Sequence, residues 1–190
     1  MSDPTDAETP RWSPGTVFTI GHSTLPIETF LATLAAYGVE RLADVRTVPR
    51  SRRNPQFNKE ALAQSLAEAG IEYLAMPSLG GLRRPRKDSP NTGWRNDSFR
   101  GYADYMQTAE FADALEQLVR SSGERRVAIM CAEAVPWRCH RSLVADALQA
   151  RGIPVVEILS ATSHRVHRLT PFAHVEGTRV TYPPEQPQLL

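Results

Sequence analysis

The stretch VAIMCAEAVPWRCHRSLVADALQA, Val127–Ala150, decides the fold. Val127–Met130 is a short apolar run of strand type. Met130–Ser142 is a polar junction holding both cysteines of the chain, a histidine, a glutamate and two arginines. Leu143–Ala150 returns to apolar residues at helical spacing. The order strand, loop, helix is the unit from which parallel sheets are wound, and the start of such a helix holds anions well.

The same unit recurs on both sides of this stretch. Thr16–Ile20 reads as a strand, Pro26–Tyr37 as a helix with Ile27, Phe30, Leu31 and Leu34 on one face, and Gly38 as its stop. Arg41–Val45 is a second strand, and Asn58 can cap a helix over Lys59–Ala69 that ends at Gly70. Ile71–Met76 is a third strand, Tyr102–Arg120 a helix, and Pro154–Leu159 a fifth strand after the helix stop at Gly152. Pro77–Arg100 has no apolar periodicity and reads as a long loop of the kind used as a lid or binding element. Val175–Tyr182 has the pattern of a small hairpin around Gly177.

The expected fold is therefore α/β: a single-domain, Rossmann-like parallel sheet with helices on both faces and a small C-terminal β-hairpin. Residues 16–183 form the domain, residues 1–15 a disordered lead-in rich in acids and prolines, and residues 184–190 a flexible tail. A chain of 190 residues with 41% hydrophobic content suits one such domain. Its net charge of +1 gives no global attraction to nucleic acid or anionic membrane, so local clusters must carry any such argument. No apolar run approaches the roughly 20 residues that span a bilayer, and no membrane partner is expected. The lead-in lacks the apolar segment of a signal peptide. With only two cysteines, this points to free thiols and a cytoplasmic location.

In a parallel sheet, ligands bind beyond the carboxyl ends of the strands, where the strand order reverses. Three strands end in chemically capable residues. The first delivers His22, Ser23 and Thr24, the second Asp44 and Arg46, and the fourth Cys131 and Glu133, with Cys139, His140, Arg141 and Ser142 at the following helix start. These should gather at one rim.

Several separate motifs also resemble a known family. TIGHST (Thr19–Thr24), DVRTVPRSRRNPQFN (Asp44–Asn58), LGGLR (Leu79–Arg83), FRGYADYM (Phe99–Met106), MCAEAVPWRCHRSLVADAL (Met130–Leu148) and LTPFAHVEGTRVTYP (Leu169–Pro183) occur in the order seen in the bacterial and archaeal family called domain of unknown function 488. The resemblance implies a compact α/β domain and no particular activity.

The residues leave several chemistries open. Cys131, just beyond a strand and ahead of Arg138 and a helix, has the setting of an activated thiolate, although its spacing to Arg138 and the intervening Glu133 differ from a tyrosine-phosphatase loop. A buried small residue at a strand end is the plainer role. Cys139, between Arg138 and Arg141, is either a second candidate nucleophile or a packing residue. Asp44 and Glu133 form a candidate acid–base pair, or else pair internally with Arg46 and Arg141. His22 completes the catalytic candidates. The ligand-binding candidates are Ser23, Thr24, Arg46, Arg50, Arg100, His140, Arg141 and Ser142. No metal is assigned, since the spacing of Cys131, Cys139 and His140 is not a standard zinc pattern. The cofactor is unknown.

The leading expectation is a site for a phosphate-bearing ligand, a nucleotide or an exposed nucleic-acid base, where an enzyme could act. Arg46, Arg141 and the N–H groups near His140 would hold the anion, and Arg46→Ala would abolish binding while leaving the fold intact. The alternatives are a non-catalytic nucleic-acid-binding module built on the basic blocks Arg46–Arg53 and Arg83–Lys87, and a metal or redox site on the cysteine loop. His164, His167 and His174 are read as surface residues without a role, and Trp12 and Trp137 as packing anchors, with Trp137 as a possible wall of the site.

Overall fold

Phe18, Ile20, Leu42, Ala128 and Met130 face one way from the strands, while Val17, Ala43, Val45, Ile129 and Cys131 face the other. This period-two alternation, with both sets buried, requires a covering layer on each side of the sheet. The computed structural model, which describes residues 12–184, supplies both layers.

Five strands are parallel: β1 (Val17–Gly21), β2 (Arg41–Asp44), β3 (Glu72–Ala75), β4 (Val127–Cys131) and β5 (Val155–Ser160). A sixth, β6 (Ser163–Val166), closes one edge antiparallel to β5, giving the order β3-β2-β4-β1-β5-β6. Helices α1 (Ile27–Ala36) and α2 (Lys59–Glu68) bury Phe30, Leu34, Leu62 and Leu66 against the first face. Helices α3 (Asp97–Tyr105), α4 (Ala109–Glu124) and α5 (Arg141–Gln149) cover the second through Tyr102, Phe111, Leu115, Leu118, Leu143 and Leu148. A two-stranded hairpin, β7 (His174–Glu176) and β8 (Arg179–Thr181), turns at Gly177, whose φ is +62°.

This is the expected α/β architecture, with three differences in detail. The helix expected over Tyr102–Arg120 is two helices. Its first part begins at Asp97, where the Asn96 side chain accepts the N–H groups of Ser98 and Phe99, and a fresh start is made at Thr108, whose hydroxyl accepts from Phe111 N–H. β6 escaped the sequence reading because all four of its residues are exposed, so it carries no apolar alternation. The long segment after β3 is pinned rather than loose. Buried Asp104 accepts bonds from Arg86 N–H, Ser89 Oγ and Asn91 Nδ2, while Asn91 Oδ1 accepts from Tyr182 N–H.

Residues 1–11 of the expected lead-in and 185–190 of the expected tail lie outside the described residues. Trp12, within the lead-in, packs edge-on to Phe18 at 5.5 Å and to His164 at 5.0 Å.

The strand order locates the site. From β1 the chain moves through α1 to β2, and from β4 it moves through α5 to β5 in the opposite direction on the other face. Because β1 and β4 are neighbours, the helices that follow them lie on opposite faces and leave a crevice at the strands' carboxyl ends.

Candidate functional site

The loops after β1 and β4 are joined edge to edge. His22 N–H donates to Cys131 O and Ser23 N–H to Ala132 O, continuing the ladder past the strands. Gly21 makes this approach possible: a Cβ there would collide with the Glu133 carbonyl and crowd the Arg141 guanidinium. Ser23 adopts the left-handed φ of +46°, uncommon outside glycine and often a mark of a functional turn. Gly81, from the segment after β3, lies so close to the His140 ring that a side chain there would strike it.

These loops surround a cleft of about 740 Å³. It is lined by His22, Ser23 and Thr24 after β1, by Arg46, Arg50 and Arg53 after β2, and by Cys131, Glu133, Arg138, Cys139 and His140 after β4. Four arginines thus face it, and Glu133 is the one carboxylate on its walls among the described residues. Val48 and Leu82, 59% and 76% exposed, add an apolar rim.

Asp44 and Arg46 form a buried unit. Arg46 Nε and Nη2 donate to Asp44 Oδ1 and Oδ2 at 2.8 and 2.7 Å, and Arg46 N–H and Tyr73 OH also donate to the same carboxylate. With four donors on it, Asp44 orients Arg46 and is poorly placed to exchange a proton with a ligand. The remaining guanidinium nitrogen, Nη1, faces His22. His22 Nδ1–H donates to Ser23 O at 2.9 Å, leaving Nε2 as an acceptor 3.4 Å from Arg46 Nη1. Burial lowers the His22 pKa, and the ring stacks on Phe57 at 4.2 Å, so the neutral imidazole is the form that fits beside Arg46. The expectation that Arg46→Ala would leave the fold intact fails on this geometry, because Arg46 is 8% exposed and its loss strands a buried carboxylate.

The cysteine loop has a different core. Arg141 is fully buried and lies behind the cleft, not on its wall: Nη1 is 3.3 Å from Cys131 Sγ and Nη2 donates to Ala134 O. It thus acts on the thiol and does not face the cleft, and Glu133 is left without it, exposed on the wall. The Cys131 pKa is lowered by the neighbouring Cys139 thiol and by the Arg141 guanidinium, against the opposing effect of burial. Cys139 is raised in turn by the neighbouring Cys131 and by burial. Of the two free thiols, Cys131 is therefore the one held toward the thiolate. His140 Nε2–H donates to Val45 O at 3.1 Å, and burial pushes its pKa down to about 4, so it meets the cleft as a neutral ring.

Besides Arg141, two expected ligand residues lie off this cleft. Ser142 donates to Cys139 O and faces a second cleft, and Arg100 pairs with Asp97 off the cleft wall, although its neighbours Ser98 and Phe99 line it. Arg53, Arg138, Val48 and Leu82 are site residues that the strand-end argument did not select. Arg53 and Arg138 stood in basic stretches of the sequence, whereas nothing local marked Val48 or Leu82. His167 is also corrected. It is buried, with Nε2–H donating to Asp146 and Nδ1–H to Glu157, both at 2.8 Å. Burial would lower its pKa, but the two carboxylates win and raise it to about 9. Among the described residues no group of three or more His, Cys, Asp or Glu side chains is arranged to hold a metal ion. Nor, among them, is any helix long and apolar enough to cross a membrane.

Comparison with curated proteins and with solved structures finds no match to this chain. A family model, Domain of unknown function DUF488, matches residues 26–148, a span that contains the arginine segment and the whole cysteine loop. The chain belongs to the DUF488 family.

Proposed function

We propose that the cleft at the ends of β1, β2 and β4 binds a phosphate-bearing ligand of nucleotide type. The observation that carries this reading is the set of four arginines, Arg46, Arg50, Arg53 and Arg138, drawn from two separate segments onto one cleft with a single facing carboxylate. Guanidinium groups suit phosphate because their paired N–H donors match its oxygens. Arg46 is oriented in advance by Asp44 and His22, which spares the ligand the entropy of ordering it. The apolar rim of Val48 and Leu82 suits a planar base better than it suits inorganic phosphate. Any covalent chemistry at the site would fall to Cys131, with Glu133 as the exposed carboxylate available for proton transfer.

The test is calorimetric titration with nucleoside 5′-monophosphates and with the parent nucleosides. The wild type should bind the phosphates and not the nucleosides, with affinity falling as salt rises. Arg50 and Arg53 are exposed and, among the described residues, without ion-pair partners, so Arg50→Ala/Arg53→Ala should keep the fold and weaken binding at least tenfold. Equal affinity for nucleoside and nucleotide, or an unaffected double variant, would remove the basis of the reading.

A further inference from the structure

A second cleft, of about 770 Å³, lies on the other side of the cysteine loop. The two clefts share a wall. Its crest is the single 3₁₀ turn Pro136–Arg138, in which Arg138 lines the first cleft and Trp137, the preceding residue, lines the second. Lower down, Phe99 faces the first cleft and Trp94 the second, their rings stacked at 4.7 Å.

Trp137 is 54% exposed, an unusual position for the largest apolar side chain. The Arg165 guanidinium lies over its ring, 4.7 Å from the centroid. Arg168 lies in the same cleft. The acid there, Glu157, is already occupied by Arg165 and by the His167 ring, so the charge offered to a ligand is positive. An aromatic face flanked by arginines, adjoining a phosphate site, is the arrangement that binds successive bases of a single strand.

We infer that the ligand is a single-stranded nucleic acid, with one nucleotide seated in the arginine cleft and its neighbour crossing Arg138 to stack on Trp137. This rests on the phosphate reading of the first cleft and extends it from a mononucleotide to a strand. Arg138 is the natural contact for the intervening phosphate. Trp137 serves as a stacking platform and takes no part in chemistry.

Dissociation constants for a nucleoside 5′-monophosphate, a six-nucleotide single strand and a polyphosphate of similar charge decide it, each measured on the wild type and on Trp137→Ala. Circular dichroism verifies that the variant is folded. The strand should bind the wild type at least tenfold more tightly than the monophosphate. Trp137→Ala should weaken the strand about tenfold, as expected for loss of one base–aromatic stack, and leave monophosphate and polyphosphate unchanged. A strand that binds no tighter than the monophosphate, or that is indifferent to Trp137→Ala, overturns the strand while sparing the mononucleotide site. Polyphosphate binding as tightly as the strand also overturns it, since charge alone would then suffice. If neither monophosphate nor strand binds, the phosphate reading falls and this inference with it.

Discussion

Arg46 is held in place before any ligand arrives. Its guanidinium donates from Nε and Nη2 to Asp44 and turns Nη1 toward His22, and Tyr73 completes the carboxylate's partners. The pair is nearly dry, so removing one member leaves the other as an uncompensated charge, at a cost of about 3–5 kcal/mol. Arg46→Ala should therefore lower the midpoint of urea unfolding substantially, whatever it does to binding. An unchanged midpoint would show that the pair is hydrated and contributes little. The sequence argument selected both residues correctly as neighbours at a strand end but left Asp44 between proton transfer and ion pairing. The choice depends on Tyr73, which arrives from β3 and has no sequence proximity to either. The same limit applied to Arg141: its spacing placed it at a helix start, and only the packing of the loop over Gly21 turns it inward toward Cys131.

At the scale of elements, legibility followed burial. β1, β2, β4 and β5 were readable because their runs are apolar, α1 and α2 because their buried faces recur at helical spacing. β6 was not, being exposed throughout and paired along one edge to β5. The break between α3 and α4 was hidden because Tyr105, Met106 and Phe111 keep apolar residues on both sides of it, while the signal for a new start, Thr108, is a single hydroxyl. The segment after β3 looked like a lid for lack of periodicity. Its order comes from hydrogen bonds to Asp104 and from the cation–π contact of Arg83 on Tyr105 at 3.5 Å, which leave no trace in hydropathy. It contributes to the cleft through Gly81, Leu82, Ser98 and Phe99 as a fixed wall.

Across the whole molecule, the C-terminal segment is tied to the sheet by a buried charge network that the sequence did not suggest. His167 bridges Asp146 of α5 and Glu157 of β5, and Asp146 also accepts from Thr170 and Tyr182. The folded pKa of His167, about 9, lies above its unfolded value of 6.5. A raised pKa of this kind stabilises fully below pH 6.5, and that contribution is lost as pH climbs through 9. The loss should be on the order of 2 kcal/mol. Unfolding free energy measured in urea should fall between pH 6.5 and 9 in the wild type, and this decline should be absent in His167→Gln. A wild type whose stability is level across that range would contradict the network's charge state.

The central claim is that the arginine cleft holds a phosphate-bearing ligand over Cys131. The measurement that reaches it most directly is the rate of Cys131 alkylation by iodoacetamide at neutral pH, followed by intact mass and peptide mapping, with and without a saturating nucleoside 5′-monophosphate. Cys131 should react faster than Cys139, and the nucleotide should slow it at least tenfold, because both occupy the same cleft. A Cys131 rate that is unchanged at every nucleotide concentration would contradict the account.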